Sequence, residues 1–126
     1  MADHPPVTIA FEGLAESDAV QTAAVRHARS LERFCDRILG CTIVISRPHH
    51  HGRHGDLFSV RIRLSVPGRD IVTSHEHRWN HAHEDVFVAL RDAFVATRRQ
   101  LEDHVRIMRG DVKHHATALT ESEEAS

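Results

Sequence analysis

The sequence is poor in aromatic residues and in long apolar runs. Aromatic residues make up 5% of its 126 residues, tyrosine is absent, and Trp79 is the only tryptophan. Proteins that bind single-stranded nucleic acid stack successive bases on aromatic rings, so this scarcity disfavours that class. No apolar run approaches the roughly 20 residues that cross a bilayer, which excludes a transmembrane helix.

Cysteine is also scarce. Cys35 and Cys41 form no C-x-x-C pair, so they support neither a disulfide framework nor a cysteine zinc site, and we interpret both as small buried hydrophobic residues. The first residues contain neither the basic nor the apolar segment of a secretory signal. A chain of this length suffices for one core, so we expect a single domain in the cytoplasm.

Lysine is nearly absent, whereas arginine is abundant. All 16 basic residues lie between Arg26 and Lys113, and 15 of them are arginine, whereas several of the 18 acidic residues lie near the ends. Residues 17–115 therefore have a net charge of +4. A basic body favours a polyanionic partner, with a solvated surface of mixed charge as the alternative.

Alternating apolar and polar residues predict four strands, at residues 7–11, 41–46, 57–66 and 70–75. Pro67-Gly68 is a turn signal, so the third and fourth strands are expected to form an antiparallel hairpin. The segment 48–55 is expected to be a loop. The third strand directs Phe58, Val60, Ile62, Leu64 and Val66 inwards and Ser59, Arg61, Arg63 and Ser65 outwards.

Apolar residues at 3.6-residue spacing predict two helices. The first has Ser17 as its N-cap and ends at Gly40, and the second runs from about His83 to Met108 and ends at Gly110. The core-facing residues are expected to be Val20, Ala24, Leu31, Phe34, Cys35 and Ile38 in the first helix, and Phe87, Leu90, Phe94, Leu101, Val105 and Met108 in the second.

The resulting order β-α-β-β-β-α predicts an α+β fold in which two helices pack on one face of a single four-stranded sheet. If the first two strands are neighbours, the helix between them makes a right-handed crossover and the two strands are parallel. We expect one domain over residues 1–115 and an acidic disordered tail over residues 116–126, because the tail is nearly devoid of large apolar side chains.

Each predicted helix has arginines along one side. These basic residues are the candidate RNA-binding residues: Arg26, Arg29, Arg33 and Arg37 in the first helix, and Arg91, Arg98, Arg99, Arg106, Arg109 and Lys113 in the second. The planar guanidinium binds phosphate oxygens through two hydrogen bonds and stacks on bases, which suits structured RNA. The alternative is two solvated helix faces whose charges are neutralised by pairs such as Glu102–Arg106 or Arg33–Asp36.

Thirteen histidines are the other candidates for chemistry. His75 and His77 are expected on one face of a strand, where they could ligate one metal ion, and four more histidines lie between positions 49 and 54. We expect no metal site, because zinc needs three or four converging ligands. Mild acidification is expected to strengthen binding of a polyanion as His27, His104 and the loop histidines gain charge.

Sequence motifs of catalysis are absent. The chain contains no G-x-S-x-G, no phosphate-binding loop and no distinguishable pair of catalytic carboxylates. We therefore expect neither an enzyme nor a cofactor nor a small-molecule substrate.

Several segments resemble one known family. They are Leu31-Glu-Arg-Phe34, the strand and turn Val60–Gly68, the helix segment Asp85–Phe94 (DVFVALRDAF), and Arg99-Gln-Leu101 after it. Together with the order of elements over residues 7–115, they resemble the ribosome hibernation-promoting factor and ribosome-associated inhibitor (protein Y) family in its short form.

The resemblance implies a fold similar to a double-stranded-RNA-binding domain. It also implies that the chain binds the small ribosomal subunit between head and body, where basic helix faces contact ribosomal RNA and block the messenger and transfer RNA sites. Such proteins silence and protect ribosomes under stress and are not enzymes. The family's basic helix positions fall on the ten candidates named above except Lys113.

Long family members have a C-terminal dimerisation domain, which this chain lacks the length to include, so we expect a monomer off the ribosome. Two other functions stay open, a histidine-dependent metal-binding protein and a general binder of double-stranded RNA.

Overall fold

The computed structural model describes residues 4–47, 56–79 and 83–125, with side chains at 4–47, 57–77 and 85–110. Four strands form one mixed sheet in the order β1-β2-β3-β4: β1 at Val7–Glu12, β2 at Gly40–Ser46, β3 at Asp56–Val66 and β4 at Arg69–Trp79. Two α-helices complete the order β-α-β-β-β-α, α1 at Asp18–Ser30 and α2 at His83–Ala125. The predicted fold class is confirmed. The predicted loop at 48–55 lies outside the described residues.

One face of the sheet is the core and the other faces solvent. In β3 the five predicted inward residues, from Phe58 to Val66, are all buried, whereas Arg61 and Arg63 are exposed. Ile43 and Ile45 of β2 and Ile71 of β4 are buried on the same side. Both helices cover this face, so the side chains between helices and sheet exclude water from a single core.

The segment β1–α1–β2 makes the crossover that allows β1 and β2 to pair in parallel. The hydroxyl of Ser17 accepts a hydrogen bond from the amide of Val20 at 3.3 Å, as predicted for the N-cap. The predicted end of the helix at Gly40 is wrong, because α1 ends at Ser30 and Leu31–Arg33 form a 3-10 turn. The Ser30 hydroxyl donates to the carbonyl of His27 at 2.6 Å.

The amide of Leu31 donates to the carbonyls of Ala28 and Arg29, and the amide of Phe34 to that of Leu31 at 3.0 Å. These tighter bonds end the α-helix at Ser30, well before the predicted end at Gly40. The spacing nevertheless identifies the core correctly, since Phe34, Cys35 and Ile38 pack against it from irregular backbone.

The hairpin of β3 and β4 turns at Gly68, which has a positive φ of 80°. Eleven residue pairs are in register, from Asp56 opposite Trp79 to Val66 opposite Arg69. The prediction of a hairpin is confirmed. The predicted strand at 70–75 is too short, because β3 offers hydrogen-bonding partners along its whole length and β4 follows it.

Helix α2 packs its first part on β3 and β4. Its buried residues are Val86, Ala89, Leu90, Ala93, Phe94, Thr97 and Leu101. Thr97 reaches Thr73 of β4 through hydroxyl oxygens 2.7 Å apart and donates to the carbonyl of Ala93 at 2.9 Å, so this buried polar contact is satisfied. The predicted inward positions Phe87 and Met108 are wrong: they are 36% and 49% exposed, because the small residues Ala89 and Ala93 face the sheet instead.

The predicted end of α2 at Gly110 is also wrong, because the helical backbone continues to Ala125. A lone glycine weakens a helix by about 1 kcal/mol but does not stop it without a left-handed residue or a proline. The backbone of the acidic segment is helical up to Ala125, whereas the disordered tail over residues 116–126 and the domain boundary at 115 stay predictions. Of the helices described, none is both long enough and apolar enough to span a membrane.

Candidate nucleic-acid interface

The two helices meet along a line of side-chain contacts, which we call the seam. At one end, the ring of His27 in α1 stacks on Phe94 of α2, with centroids 5.1 Å apart and an interplanar angle of 16°. Further along, the Arg98 guanidinium lies 5.4 Å from the ring centroid of Phe34. The residue numbers rise together on both sides, so the two elements run in the same direction along the seam.

The predicted RNA-binding residues lie around this seam. Arg26 and Arg29 are on α1, Arg33 is in the 3-10 turn, and the arginines from Arg91 to Arg109 are on α2. All nine candidate arginines have exposed side chains. The side chain of Lys113 lies outside the described part. Arg37 does not extend a helical row as predicted, because α1 has ended before it and its backbone is irregular.

Electrostatics at His27 reveals how close the two rows come. Burial lowers the pKa of His27, and the positive charges of Arg26 on its own helix and Arg91 on the other lower it further. One imidazole is thus influenced by both rows at once. The structure therefore brings α1 and α2 arginines to a common surface, which the sequence alone could only suggest.

At the other end of the seam the 3-10 turn and α2 enclose an open groove of ≈ 610 Å³. We call it the end groove. Its lining consists of Arg33, Phe34, Glu102, Val105, Arg106, Arg109 and Gly110. Three guanidiniums from two separate elements therefore converge on one concavity, an arrangement suited to phosphate oxygens.

Some of the arginines are paired with acids of α2. Arg98 Nε lies 3.0 Å from Glu102 Oε1, Arg91 lies 3.6 Å from Asp92, and Arg106 pairs with Asp103. Exposed pairs of this kind contribute about 0–1 kcal/mol, so they are readily exchanged for a phosphate. They are not the pairs expected from sequence, because Glu102 bonds Arg98 rather than Arg106.

Other arginines have no such partner. Within residues 4–47, 57–77 and 85–110, no hydrogen bond or ion pair engages the side chains of Arg26, Arg29, Arg33, Arg99 and Arg109. Their positive charge is therefore available to a ligand, and among the described side chains internal neutralisation applies only to part of the α2 row.

Sequence reasoning missed one residue of this surface. It assigned Phe34 to the core, whereas the ring is half-buried and also lines the end groove. The signal was the Arg-Phe pair at the end of the apolar pattern. The chain leaves the helix there, so an aromatic ring can contact the core and the surface groove at the same time. The thiol of Cys41, by contrast, is buried as predicted, and burial raises its pKa to about 12.

His75 and His77 lie on the same face of β4, as predicted. The rings of His75 and His77 lie 6.2 Å apart, and His77 meets the ring of Phe58 edge-on at 5.6 Å. Among the side chains described, no three histidine, cysteine or acidic residues converge as a metal site would require. The histidines of 49–54 and His81 fall outside the described residues.

The chain is similar in sequence to a known protein family. Residues 7–109 match the family described as sigma 54 modulation protein / S30EA ribosomal protein. The chain belongs to this family. It is a family of ribosome-associated hibernation and modulation factors rather than of enzymes. No curated protein matches the chain.

Solved structures share the fold of this S30EA family member. The N-terminal domain of protein Y from Thermus thermophilus aligns with a TM-score of 0.60 at 16% identity, over 79% of this chain and 98% of that one. A ribosomal subunit interface protein from Coxiella burnetii aligns with a TM-score of 0.60 at 17% identity, over 79% and 96%. At these identities the likeness establishes the fold and not the site.

In this S30EA family member, His27 makes stability depend on pH in a defined direction. Its pKa is lower folded than unfolded, so the unfolded chain binds the proton first as pH falls below about 6.5. The free energy of unfolding should therefore fall between pH 7.5 and 5.5, and His27→Gln should reduce that fall. Urea unfolding at both pH values measures it, and an equal fall in the variant would contradict it. The lowered pKa of His27 opposes the gain of charge expected there on mild acidification.

Proposed function

We propose that the chain binds ribosomal RNA of the small subunit through the seam and thereby blocks the sites of messenger and transfer RNA. The protein acts by occupancy: arginine forks bind phosphates, and the body of the domain excludes the substrates of translation. It does so in the cytoplasm and as a monomer when it is off the ribosome. It is not an enzyme and uses no cofactor.

One observation carries the proposal. Two helices that are separate in sequence present their arginines on one surface, and several of these arginines have no acidic partner among the described side chains. A merely solvated surface would not require guanidiniums of the 3-10 turn and of α2 to line the same groove. Membership of a ribosome-associated family supports the ribosome as the source of the RNA.

The shape of the surface favours structured RNA over extended single strands. Guanidiniums are spread along the seam of the two helices, whereas only one aromatic ring, Phe34, lines the end groove. Structured RNA is recognised mainly through its shape and its phosphates, and these require positive charge at fixed positions rather than a row of stacking rings.

Salt-dependent co-sedimentation with isolated small subunits tests this proposal. If Arg26, Arg29, Arg33 and Arg109 each bind one phosphate, the affinity should fall about a hundredfold between ~50 and ~200 mM salt. Binding should saturate near one copy per subunit, and a plain RNA duplex should not displace it. Binding that is absent at both salt concentrations would contradict the proposal.

The duplex competitor also distinguishes the main alternative. A general binder of double-stranded RNA would be displaced by duplex at concentrations comparable to its own affinity for the subunit. A chain that recognises the ribosome specifically makes contacts with the subunit that a duplex does not offer, so duplex should compete only in large excess.

A further inference from the structure

The end groove contains side chains of three chemical kinds within one concavity. Its guanidiniums provide positive charge, Phe34 and Val105 provide an apolar wall, and Glu102 provides the one carboxylate. Its volume of ≈ 610 Å³ lies within the range of about 300–1,000 Å³ found for small-ligand sites. A phosphate surface alone needs only the first kind, so the other two require a separate reason.

The apolar wall is suited to one flat ring. Phe34 is held by the core on one side, and Arg98 lies against its ring at 5.4 Å. Unpaired bases stack on aromatic side chains, and Phe34 is the aromatic residue in the lining of the groove. Because one aromatic ring lines the groove, the groove can stack one base and not a run of bases.

Glu102 weakens binding of any phosphate in the groove, since its charge repels the ligand. Its carboxylate is nevertheless compatible with a base, because Oε1 accepts only one exchangeable hydrogen bond, from Arg98 Nε at 3.0 Å. A carboxylate beside an aromatic ring has two oxygens that only accept hydrogen bonds.

Guanine is the base that matches a carboxylate. Its Watson–Crick edge has two neighbouring donors, N1–H and the N2 amine, whereas adenine and cytosine place an acceptor beside their donor and uracil has one donor between two acceptors. Two parallel bonds to a carboxylate are therefore available to guanine alone, and the other bases leave an oxygen facing an acceptor.

We propose that the end groove binds one unpaired guanine nucleotide. The base stacks on the part of the Phe34 ring that lines the groove, its Watson–Crick edge bonds Glu102, and its phosphate binds Arg33 and Arg109. The inference rests on the proposed function and states which feature of an RNA the seam reads. The same chemistry belongs to a guanine that is extruded from folded RNA and to a free guanine nucleotide.

The test compares hairpin RNAs that differ only in one bulged nucleotide, G, A, C or U, and a hairpin without a bulge. Fluorescence anisotropy with the full chain should give at least about tenfold tighter binding of bulged G than of bulged U. Glu102→Gln should bring that ratio close to one, because an amide cannot accept from both guanine donors. Asp103→Asn makes the same change of charge one residue away, outside the groove lining, and should keep the preference.

Phe34→Leu is the second variant and retains an apolar side chain at the edge of the core. It should weaken binding of every bulged hairpin about tenfold and leave the unbulged hairpin unchanged, because only an extruded base needs the ring. Equal binding of all bulged hairpins by the unmodified chain would exclude an extruded guanine of folded RNA as the ligand.

A second arm identifies the source of the nucleotide. Millimolar GMP or UMP is added to isotope-labelled chain, and the amide shifts of residues 33–34 and 102–110 are followed. Shifts with GMP but not UMP, without a preference among hairpins, would support the same site with a free nucleotide as its ligand. No shift and no hairpin preference would overturn the inference, whereas salt-sensitive subunit binding would still support the proposed function.

Discussion

Reversing the charge of Arg33 and Arg109 together should lower the affinity for the small ribosomal subunit at least about a hundredfold. Both side chains are exposed, both line the end groove, and neither has an ion-pair partner among the described residues. Each charge-assisted hydrogen bond contributes about 1.5–3 kcal/mol, so the loss of two corresponds to about 3 kcal/mol or more. Co-sedimentation of Arg33→Glu/Arg109→Glu at fixed salt measures the effect.

The opposite side of the sheet supplies a matched control. Arg61 and Arg63 are exposed on the solvent face of β3 and likewise have no partner among the described side chains. Arg61→Glu/Arg63→Glu makes the same change of charge and should bind subunits nearly as the unmodified chain does. If this variant loses binding and the groove variant keeps it, the interface lies on the sheet face and the seam is not the site.

Replacement of Gly13 by alanine should destabilise the fold by about 3 kcal/mol or more. Gly13 follows β1 and has a φ of 78°, which a side chain strains. A Cβ atom there would also overlap the backbone carbonyl of Arg47, whose amide donates to Glu12 at 2.8 Å. Because both neighbours are backbone atoms at the ends of paired strands, β1 and β2 would have to separate. Urea unfolding monitored by circular dichroism gives the difference.

Gly68 separates the two causes. Its φ of 80° is similar, but a Cβ atom there meets nothing within 4 Å. Gly68→Ala should therefore cost only the strain of the conformation, about 1 kcal/mol. Equal losses in the two variants would mean that the close approach of β1 and β2 does not contribute.

The strands could be predicted from sequence because their information is local. Alternation in β3 decides which face each side chain takes, and every predicted inward residue is buried. The ends of helices are not local in this way. The apolar spacing continues through Cys35 and Ile38, although the 3-10 turn has already ended α1. Packing on the core does not require helical backbone, so the spacing does not mark the end of the helix.

The arginines of the candidate interface could be listed from sequence, but their arrangement could not. Helical spacing puts Arg98 and Arg106 on one side of α2, yet nothing in the chain states that α1 lies beside it or that Phe34 opens onto the same groove. The pairing of Glu102 with Arg98 was equally hidden, because acids three and four residues from several arginines have more than one possible partner.

The order of the strands in the sheet follows their order in the chain, and this topology affects the order in which the elements fold. The β3–β4 hairpin closes a turn of two residues, Pro67-Gly68, whereas β1 and β2 must close the whole of residues 13–39. Closing a long loop loses more conformational entropy than closing a short one, and this loss precedes the stabilising contacts. The topology therefore favours early formation of the β3–β4 hairpin and late docking of β1. The surface shared by α1 and α2 is then the last part to assemble, and strain near β1 hastens unfolding more than it slows folding.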